Sequence, residues 1–340
     1  MATRRSFVNQ IAMLGAGGYA LLRHGNYSTA RAAATATGAD AWPEMSYRTL
    51  GRTGFNASRL VYGCGAALSK SPADHLLNLA FEKGVNVFDV GYSAYYGKAE
   101  QHLAPFIRSH RDNIFVISKA PAPVRADADE EVSVEDAKRA AATWTQLMNQ
   151  SLSELGQEHV DAYYVMGSNN PSLISSDEIR LAFEAARDAG KVTHLGVSSH
   201  ENAQNVLAAA VETGWYDLAM IAITPAGWYD WNSRSILEGT PDIISLGPRL
   251  EAARDAGVAL VGMKAGRLLA GRWYAGGGNA KAFNRYYDEK LLQSDLTDFQ
   301  RSYAYVLEHG LDVVNADIQN FGILEQNFKA AALSAGYFAE

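Results

Sequence analysis

Cysteine is almost absent from this sequence, since Cys64 is the only one among 340 residues. A single thiol forms no internal disulfide, and it supplies neither a CxxC zinc site nor a four-cysteine iron–sulfur cluster. Any redox chemistry would therefore require an organic cofactor.

Basic residues are not in excess either, because the net charge is −7. Phosphate backbones are bound by basic faces, so the composition argues against a nucleic-acid surface and indicates a small-molecule substrate.

A long apolar run is missing at the N-terminus, where paired arginines precede a short apolar stretch. MATRRSFVNQ carries Arg4 and Arg5, IAMLGAGGYALL follows, and RHGNYSTARAAATA adds small residues suited to cleavage. The run is too short for a bilayer-spanning anchor. This order resembles a twin-arginine signal peptide over residues 1–36, with a disordered basic tail as the alternative. The resemblance implies the twin-arginine export machinery as a partner, no stable membrane anchor, and a periplasmic or otherwise exported protein.

From residue 59 onward, an apolar β-rich run alternates eight times with an amphipathic helical stretch. The runs are RLVYGCGA, NVFDVG, IFVISKA, DAYYVMG, THLGVSS, LAMIAIT, ALVGMKA and VVNADI. Six glycines stand between a helical stretch and the next strand, where a helix would end: Gly84, Gly156, Gly190, Gly214, Gly257 and Gly310. With no strand-to-strand hairpin inside the repeat, the pattern predicts an α/β fold, a (β/α)8 TIM barrel over residues 46–335. The one long interruption, residues 271–295, is expected to form a flap over the barrel mouth.

Charged and polar residues occupy the predicted carboxyl ends of the strands, where the reacting groups of such barrels lie. They are Asp89, Lys119, Ser198, Ser199, Thr224, Lys264 and Asp317, with Met166 among them. A buried charge is costly unless it is paired or used. Asp89 and Lys119 end neighbouring strands, so we expect them to pair. Such a pair could be catalytic, or it could be an ordinary ion pair that closes the rim.

Several stretches, in order, resemble the aldo-keto reductase family over essentially the whole chain after the N-terminal segment. They are YRTLGRTGFNASRLVYGCG, GVNVFDVG, YGKAEQ, VISKA, VDAYYV, GKVTHLGVSSHEN, GVALVGMKAGRLLAG and LEQNFKAAA. No one of them is decisive, but their order and spacing together are specific. The resemblance implies an oxidoreductase that acts on a carbonyl or alcohol of a small molecule with a nicotinamide cofactor, NADP(H) or NAD(H).

The family's catalytic tyrosine, lysine and aspartate correspond to Tyr96, Lys119 and Asp89. Hydride would go to the carbonyl carbon and the tyrosine hydroxyl would protonate the oxygen, with the ammonium expected to lower the tyrosine pKa. The spacing from Asp89 to Tyr96 is two residues longer than is usual, so Tyr95 and Tyr92 remain alternatives.

The family's histidine is expected at the end of the fourth strand, where this sequence has Met166. A thioether donates no hydrogen bond, so one catalytic role is left without a residue. His200 and His102 are read as ordinary rim or surface histidines and receive no role.

Cofactor contacts are fewer than the family usually has. The resemblance leaves Ser198, Ser199, Lys264 and Asn327 as contacts, while Met220 and Ile223 replace a polar and an aromatic residue. Asp317 would repel the 2′-phosphate of NADP, which favours NAD. No metal site is predicted. The alternative function is a non-redox barrel, either a ligand-binding protein or a lyase.

Overall fold

The computed structural model describes residues 42–270 and 278–338. The predicted signal peptide, residues 1–36, lies outside this range and stays a prediction. Within the described part of the chain, no helix is both long and apolar enough to cross a membrane.

Eight parallel strands form a closed barrel, which confirms the predicted fold. In chain order they are β3 (Leu60–Gly63), β4 (Val87–Asp89), β5 (Phe115–Ala120), β6 (Val160–Met166), β7 (Val192–Ser199), β8 (Leu218–Thr224), β11 (Ala259–Met263) and β12 (Val313–Asp317). Each pairs with its neighbour in sequence, β8 pairs with both β7 and β11, and β12 returns to pair with β3. Each of the eight predicted runs therefore corresponds to one strand, with β6 and β7 beginning one residue earlier than predicted.

Helices follow the strands and cover the outer face of the barrel. They are α1 (Gly65–Leu68), α2 (Asp74–Glu82), α3 (Ser93–Tyr96), α4 (Ala99–His110), α5 (Val134–Leu155), α6 (Pro171–Ile174), α7 (Asp177–Asp188), α8 (Ala203–Thr213), α9 (Gly247–Asp255), α10 (Glu289–Leu292), α11 (Asp298–Glu308) and α12 (Phe321–Phe338). The long helix α5 has a clear start and end. Ser133 accepts a hydrogen bond from the Asp136 N–H, and Gly156 ends the helix at φ 62°.

Side chains alternate between the two faces of each strand, which separates the barrel interior from the layer beneath the helices. The interior cluster contains Val61, Val87, Phe115, Ile117, Ala162, Tyr164, Leu218, Met220, Ala222, Val261, Met263 and Val313. Tyr164 reaches across to β7, where a Cβ on Gly196 would lie 2.1 Å from its ring. The absence of a side chain at position 196 therefore makes room for this tyrosine.

The N-terminal end of the barrel is closed by an antiparallel hairpin of β1 (Tyr47–Thr49) and β2 (Asn56–Ser58). Leu50 in its turn is fully buried and joins the interior cluster. Arg52 donates hydrogen bonds to the carbonyls of Gly214 and Ala256, both 2.6 Å long. This end is thus filled by the chain itself, which leaves the opposite end for chemistry.

A second hairpin contradicts the prediction that none interrupts the repeat. β9 (Gly227–Asp230) folds back antiparallel onto β8, and β10 (Ser235–Ile236) pairs with β9. The long connection from β8 to α9 is also a second interruption where only one was predicted. A left-handed φ of 103° at Gly227 makes the tight reversal after β8 possible.

Candidate active site

Asp89 and Lys119 form a buried ion pair at the carboxyl end of the barrel. The Lys119 ammonium lies 2.7 and 2.6 Å from the two carboxylate oxygens of Asp89, and 2.6 Å from the carbonyl oxygen of Val90. An ammonium has three protons, so these contacts use all its donors. Burial raises the pKa of Asp89, and the Lys119 ammonium opposes that shift. The two strand ends thus hold the lysine charge at a fixed place.

Asn315 is a third member of this cluster that the sequence analysis missed. Its Nδ2 donates to Asp89 Oδ2 at 2.6 Å and lies 3.6 Å from the Met220 sulfur. A Cβ on Gly63 would lie 2.6 Å from the Asn315 side-chain oxygen, so the glycine on β3 leaves space for this amide. The available signal was its position in VVNADI, two residues before Asp317 and therefore on the same strand face.

Tyr96 lies against the lysine, with its ring centroid 5.4 Å from the Lys119 ammonium. The ring is held between two glycines, Gly65 at the start of α1 and Gly91 in the loop after β4. A Cβ on Gly65 would lie 2.3 Å from one ring edge, and one on Gly91 would lie 2.8 Å from the other. The short helix α3 ends at Gly97, whose φ of 61° suits glycine. The two glycines and α3 together set the orientation of the phenol ring.

The predicted lowering of the Tyr96 pKa is wrong for this structure. Burial raises the Tyr96 pKa well above its ordinary value, and the nearby Tyr95 and Asp89 add to the effect. The largest cause is burial of the phenol, and the Lys119 ammonium, whose three donors go to Asp89 and Val90, does not offset it. The phenol therefore stays protonated at neutral pH.

Tyr95 and Tyr92, the alternatives to Tyr96, contact the site differently. Tyr95 packs its ring edge-on against Tyr96 at a centroid distance of 4.6 Å. Tyr92 donates its backbone N–H to the carbonyl of Lys119 at 3.0 Å. Of these three tyrosines, only Tyr96 has its ring against the Lys119 ammonium.

Met166 is the last residue of β6 and is buried. It pairs in register with Ser198 on β7, and Ser198 pairs in register with Met220 on β8. The two methionines flank Ser198 with thioethers that donate no hydrogen bond. By strand alternation Ser198 faces the interior, whereas Ser199 shares the outer face of Val197. The Ser199 hydroxyl donates to the Glu201 carbonyl at 2.6 Å. Of the two serines predicted as cofactor contacts, only Ser198 is thus turned toward the mouth.

Lys264 follows β11 with φ 67°, a left-handed backbone angle that is uncommon for lysine. Its ammonium lies 4.8 Å from the centroid of the Trp231 indole. Burial lowers the Lys264 pKa to about 8, and the neighbouring Arg267 lowers it further than burial alone would. Among the described residues, Lys264 makes no salt bridge.

Two further predicted residues lie on or after β12. Asp317 ends the strand, and its carboxylate accepts hydrogen bonds from the Ala67 N–H at 3.1 Å and the Gln319 side chain at 2.7 Å. Asn327 is buried on α12. Within the described part of the chain, neither residue is hydrogen-bonded to the Asp89–Lys119 pair.

Comparison with known proteins identifies a matching family and a similar relative. Residues 54–233 match the model of the aldo/keto reductase family. The chain is similar to an aldo-keto reductase of Gibberella moniliformis, with 30% identity over 149 residues, which is 43% of this chain and 42% of that protein. The chain thus spans about two fifths of the length of this relative.

Two solved structures, each described as a candidate aldo-keto reductase from Pseudomonas aeruginosa, are similar in fold. Their sequence identities are 20% and 19%, with TM-scores of 0.56 and 0.58. In both cases the similarity covers 87% of this chain and 98% of the other. At this identity the likeness supports the barrel fold.

Proposed function

We propose that this chain, which belongs to the aldo/keto reductase family, is an oxidoreductase that reduces a carbonyl group of a small molecule with a nicotinamide cofactor. The observation that carries the proposal is the Lys119 ammonium, fixed by Asp89 and lying against the Tyr96 ring at the carboxyl end of the barrel. Family members typically use such a cofactor, which when bound supplies the hydride.

The role proposed for Tyr96 is to donate its hydroxyl proton to the substrate oxygen. Burial raises the Tyr96 pKa, so the phenol carries its proton at neutral pH. A protonated phenol suits the acid that reduction requires, whereas alcohol oxidation requires a base. Asp89 fixes the Lys119 ammonium, and its positive charge would lie near the substrate oxygen that gains electron density. We therefore expect reduction to be faster than oxidation at neutral pH.

One cation at the barrel mouth is suited to binding an anionic dinucleotide. Lys264 is half-buried, and its ammonium makes no salt bridge in the described part of the chain. A dinucleotide carries phosphate charges that could pair with this ammonium. Lys264 and Ser198 would hold it, with Asn327 as a proposed contact to the adenine or ribose. Asp317 would repel a 2′-phosphate, so we expect NAD(H) to bind more tightly than NADP(H).

Loss of the family's histidine is part of the proposal. Met166 offers no oriented donor to the developing oxyanion, and removing one such donor costs about 3 kcal/mol, or roughly a hundredfold in rate. Turnover of ordinary aldehydes should therefore be slow unless another residue of the mouth supplies that donor.

The test measures binding and turnover separately. Calorimetric titration of NAD(H) and NADP(H) into the purified protein reports binding, and loss of reduced-nicotinamide absorbance with a panel of aldehydes and ketones reports turnover. Tyr96→Phe should leave dinucleotide binding unchanged and lower turnover about a hundredfold or more. Tyr95→Phe, one residue away, serves as the matched control and should retain activity. Equal losses in both variants would contradict the assignment of Tyr96.

A non-redox barrel, either a ligand-binding protein or a lyase, is the second candidate. The observation that favours it is the apolar pair formed by Met166 and Met220 on either side of Ser198, where polar contacts to a cofactor were expected. Failure of both dinucleotides to bind, together with no dinucleotide-dependent turnover in either the wild type or Met166→His, would support this candidate.

Export by the twin-arginine route is also proposed, from the paired Arg4 and Arg5 ahead of an apolar stretch. Replacing both arginines with lysines should keep the protein in the cytoplasm, as judged by cell fractionation. A variant that still leaves the cytoplasm at the normal level would contradict this route.

A further inference from the structure

His200 stands directly after β7, two residues beyond Ser198. The His200 ring contacts the Trp231 indole, which packs against the interior cluster of the barrel, so His200 lies at the barrel mouth. The Nδ1 atom of His200 is buried and has no hydrogen-bond partner among the described residues. A buried ring nitrogen without a partner costs free energy unless a ligand satisfies it.

The surroundings of His200 hold the ring in place. Its ring packs edge-on against the Trp231 indole at a centroid distance of 5.7 Å, and its carbonyl accepts the Trp231 backbone N–H at 3.1 Å. The same indole carries the Lys264 ammonium at 4.8 Å and the Arg234 guanidinium at 5.9 Å. His200 is thus fixed by β9 and its following turn, beside the cations of the mouth.

The protonation state of His200 follows from these neighbours. Burial lowers the His200 pKa well below its ordinary value, and the Lys264 and Lys119 ammonium groups add to the shift. The imidazole is therefore neutral at physiological pH and carries one N–H. A neutral imidazole donates a hydrogen bond from one nitrogen without bringing another charge to the mouth.

His200 lies next to the strand end where Met166 provides no hydrogen-bond donor. Met166 is in register with Ser198, so β7 is the strand next to the one that lacks a donor. His200 directly follows that neighbouring strand. A donor on β7 can therefore approach the space between Met166 and Lys119 from the adjacent strand end.

We propose that His200 is a substrate-contacting residue whose buried Nδ1 donates its hydrogen bond to the substrate's carbonyl oxygen, in place of the donor that Met166 cannot supply. This assignment rests on the proposed carbonyl reduction. It moves the donor from the end of β6 to the end of β7. His200 orients and polarises the oxygen, while Tyr96 gives the proton.

The first experiment compares His200→Leu with His200→Asn, because an asparagine side chain retains an N–H donor near the Nδ1 position. His200→Leu should lower kcat/KM for carbonyl reduction about a hundredfold, with most of the loss in kcat. His200→Asn should recover a large part of it. Dinucleotide affinity, measured by calorimetry, should be unchanged in both variants. His75→Leu, an exposed histidine on α2, is the matched control and should keep wild-type activity.

The second experiment is a double-mutant cycle with Met166→His. If His200 already supplies the donor, Met166→His should gain little in the wild-type background and at least tenfold in the His200→Leu background. Equal gains in both backgrounds, or a His200→Leu variant within threefold of wild type, would overturn the assignment while leaving carbonyl reduction intact. A wild-type protein without dinucleotide-dependent turnover would overturn the proposed function, and this assignment with it. Unchanged circular dichroism and unfolding midpoint identify the variants that remain folded.

Discussion

The Tyr164 hydroxyl lies inside the barrel, buried and without a hydrogen-bond partner in the described part of the chain. An unpaired buried hydroxyl costs about 1–3 kcal/mol. Tyr164→Phe should therefore raise the free energy of unfolding by about 1 kcal/mol, measured by urea denaturation. Tyr163→Phe is the matched control, because the Tyr163 hydroxyl pairs with Ser151 at 3.0 Å and its loss should destabilise. A destabilised Tyr164→Phe variant would mean that the hydroxyl has a partner after all.

The orientation of Tyr96 depends in part on the absence of a side chain at position 65. Gly65 lies in α1 and its φ is not in the left-handed region, so alanine fits the backbone there. Its Cβ would nevertheless lie 2.3 Å from the Tyr96 ring. Gly65→Ala should lower turnover more than tenfold by displacing the ring, with little loss of stability. Gly336→Ala on α12, where a Cβ meets nothing within 4 Å, should leave turnover unchanged.

At the scale of elements, α4 carries a carboxyl group into the layer between barrel and helices. Glu100 is fully buried, and its Oε1 accepts a 2.6 Å hydrogen bond from the Ser118 hydroxyl on β5. Its other oxygen has no partner among the described residues. Burial raises the Glu100 pKa to about 7. The packing of α4 on β5 therefore depends on a proton that this carboxyl group holds near neutral pH.

The sign of the resulting pH dependence follows from the raised pKa. Between the ordinary pKa of 4.5 and about 7, folded Glu100 is protonated while unfolded Glu100 is not. Stability should therefore fall as pH rises through this window, by about 3 kcal/mol at most, and level off above it. Glu100→Gln should remove this loss, as measured by urea midpoints at pH 5 and pH 8. Glu135→Gln, an exposed residue on α5, should retain the wild-type pH dependence.

Elements differ in how far the sequence predicts them. The eight barrel strands are visible because each is a continuous apolar run that ends at a glycine or a polar residue. The hairpin of β9 and β10 is not, since AGWYDWN alternates too briefly and reads as an aromatic loop. In the folded chain this hairpin places Trp231, just beyond β9, in contact with both His200 and Lys264.

At the scale of the whole molecule, the candidate site depends on contacts between residues far apart in sequence. Asp89 and Lys119 were predicted to pair because neighbouring parallel strands end at the same rim. Asn315, which binds Asp89 from 226 positions away, is placed there only by closure of the barrel. The raised Tyr96 pKa could not be predicted either, because it follows from burial of the phenol and from the nearby Tyr95 and Asp89 in the folded chain. The hydrophobic pattern of the sequence thus identifies the strand ends. Closure of the barrel determines which side chains at those ends come into contact.

Charge distribution over the whole molecule gives a further prediction for ligand binding. The protein is acidic overall, yet the Lys264 ammonium and the Arg234 guanidinium both lie against Trp231 at the mouth. An anionic dinucleotide would be attracted there only while Lys264 is charged. Because the Lys264 pKa is lowered to about 8, its charge is present below pH 8 and is lost as the pH rises above it.

Dinucleotide affinity should therefore be constant up to about pH 7 and fall by about tenfold between pH 7 and pH 9.5, measured by calorimetry at constant ionic strength. Lys264→Arg keeps its charge throughout this range and should bind equally at both pH values. Lys264→Met should bind weakly at both. A wild-type affinity that does not change with pH, alongside a weakened Lys264→Met variant, would show that Lys264 contributes packing against Trp231 rather than charge.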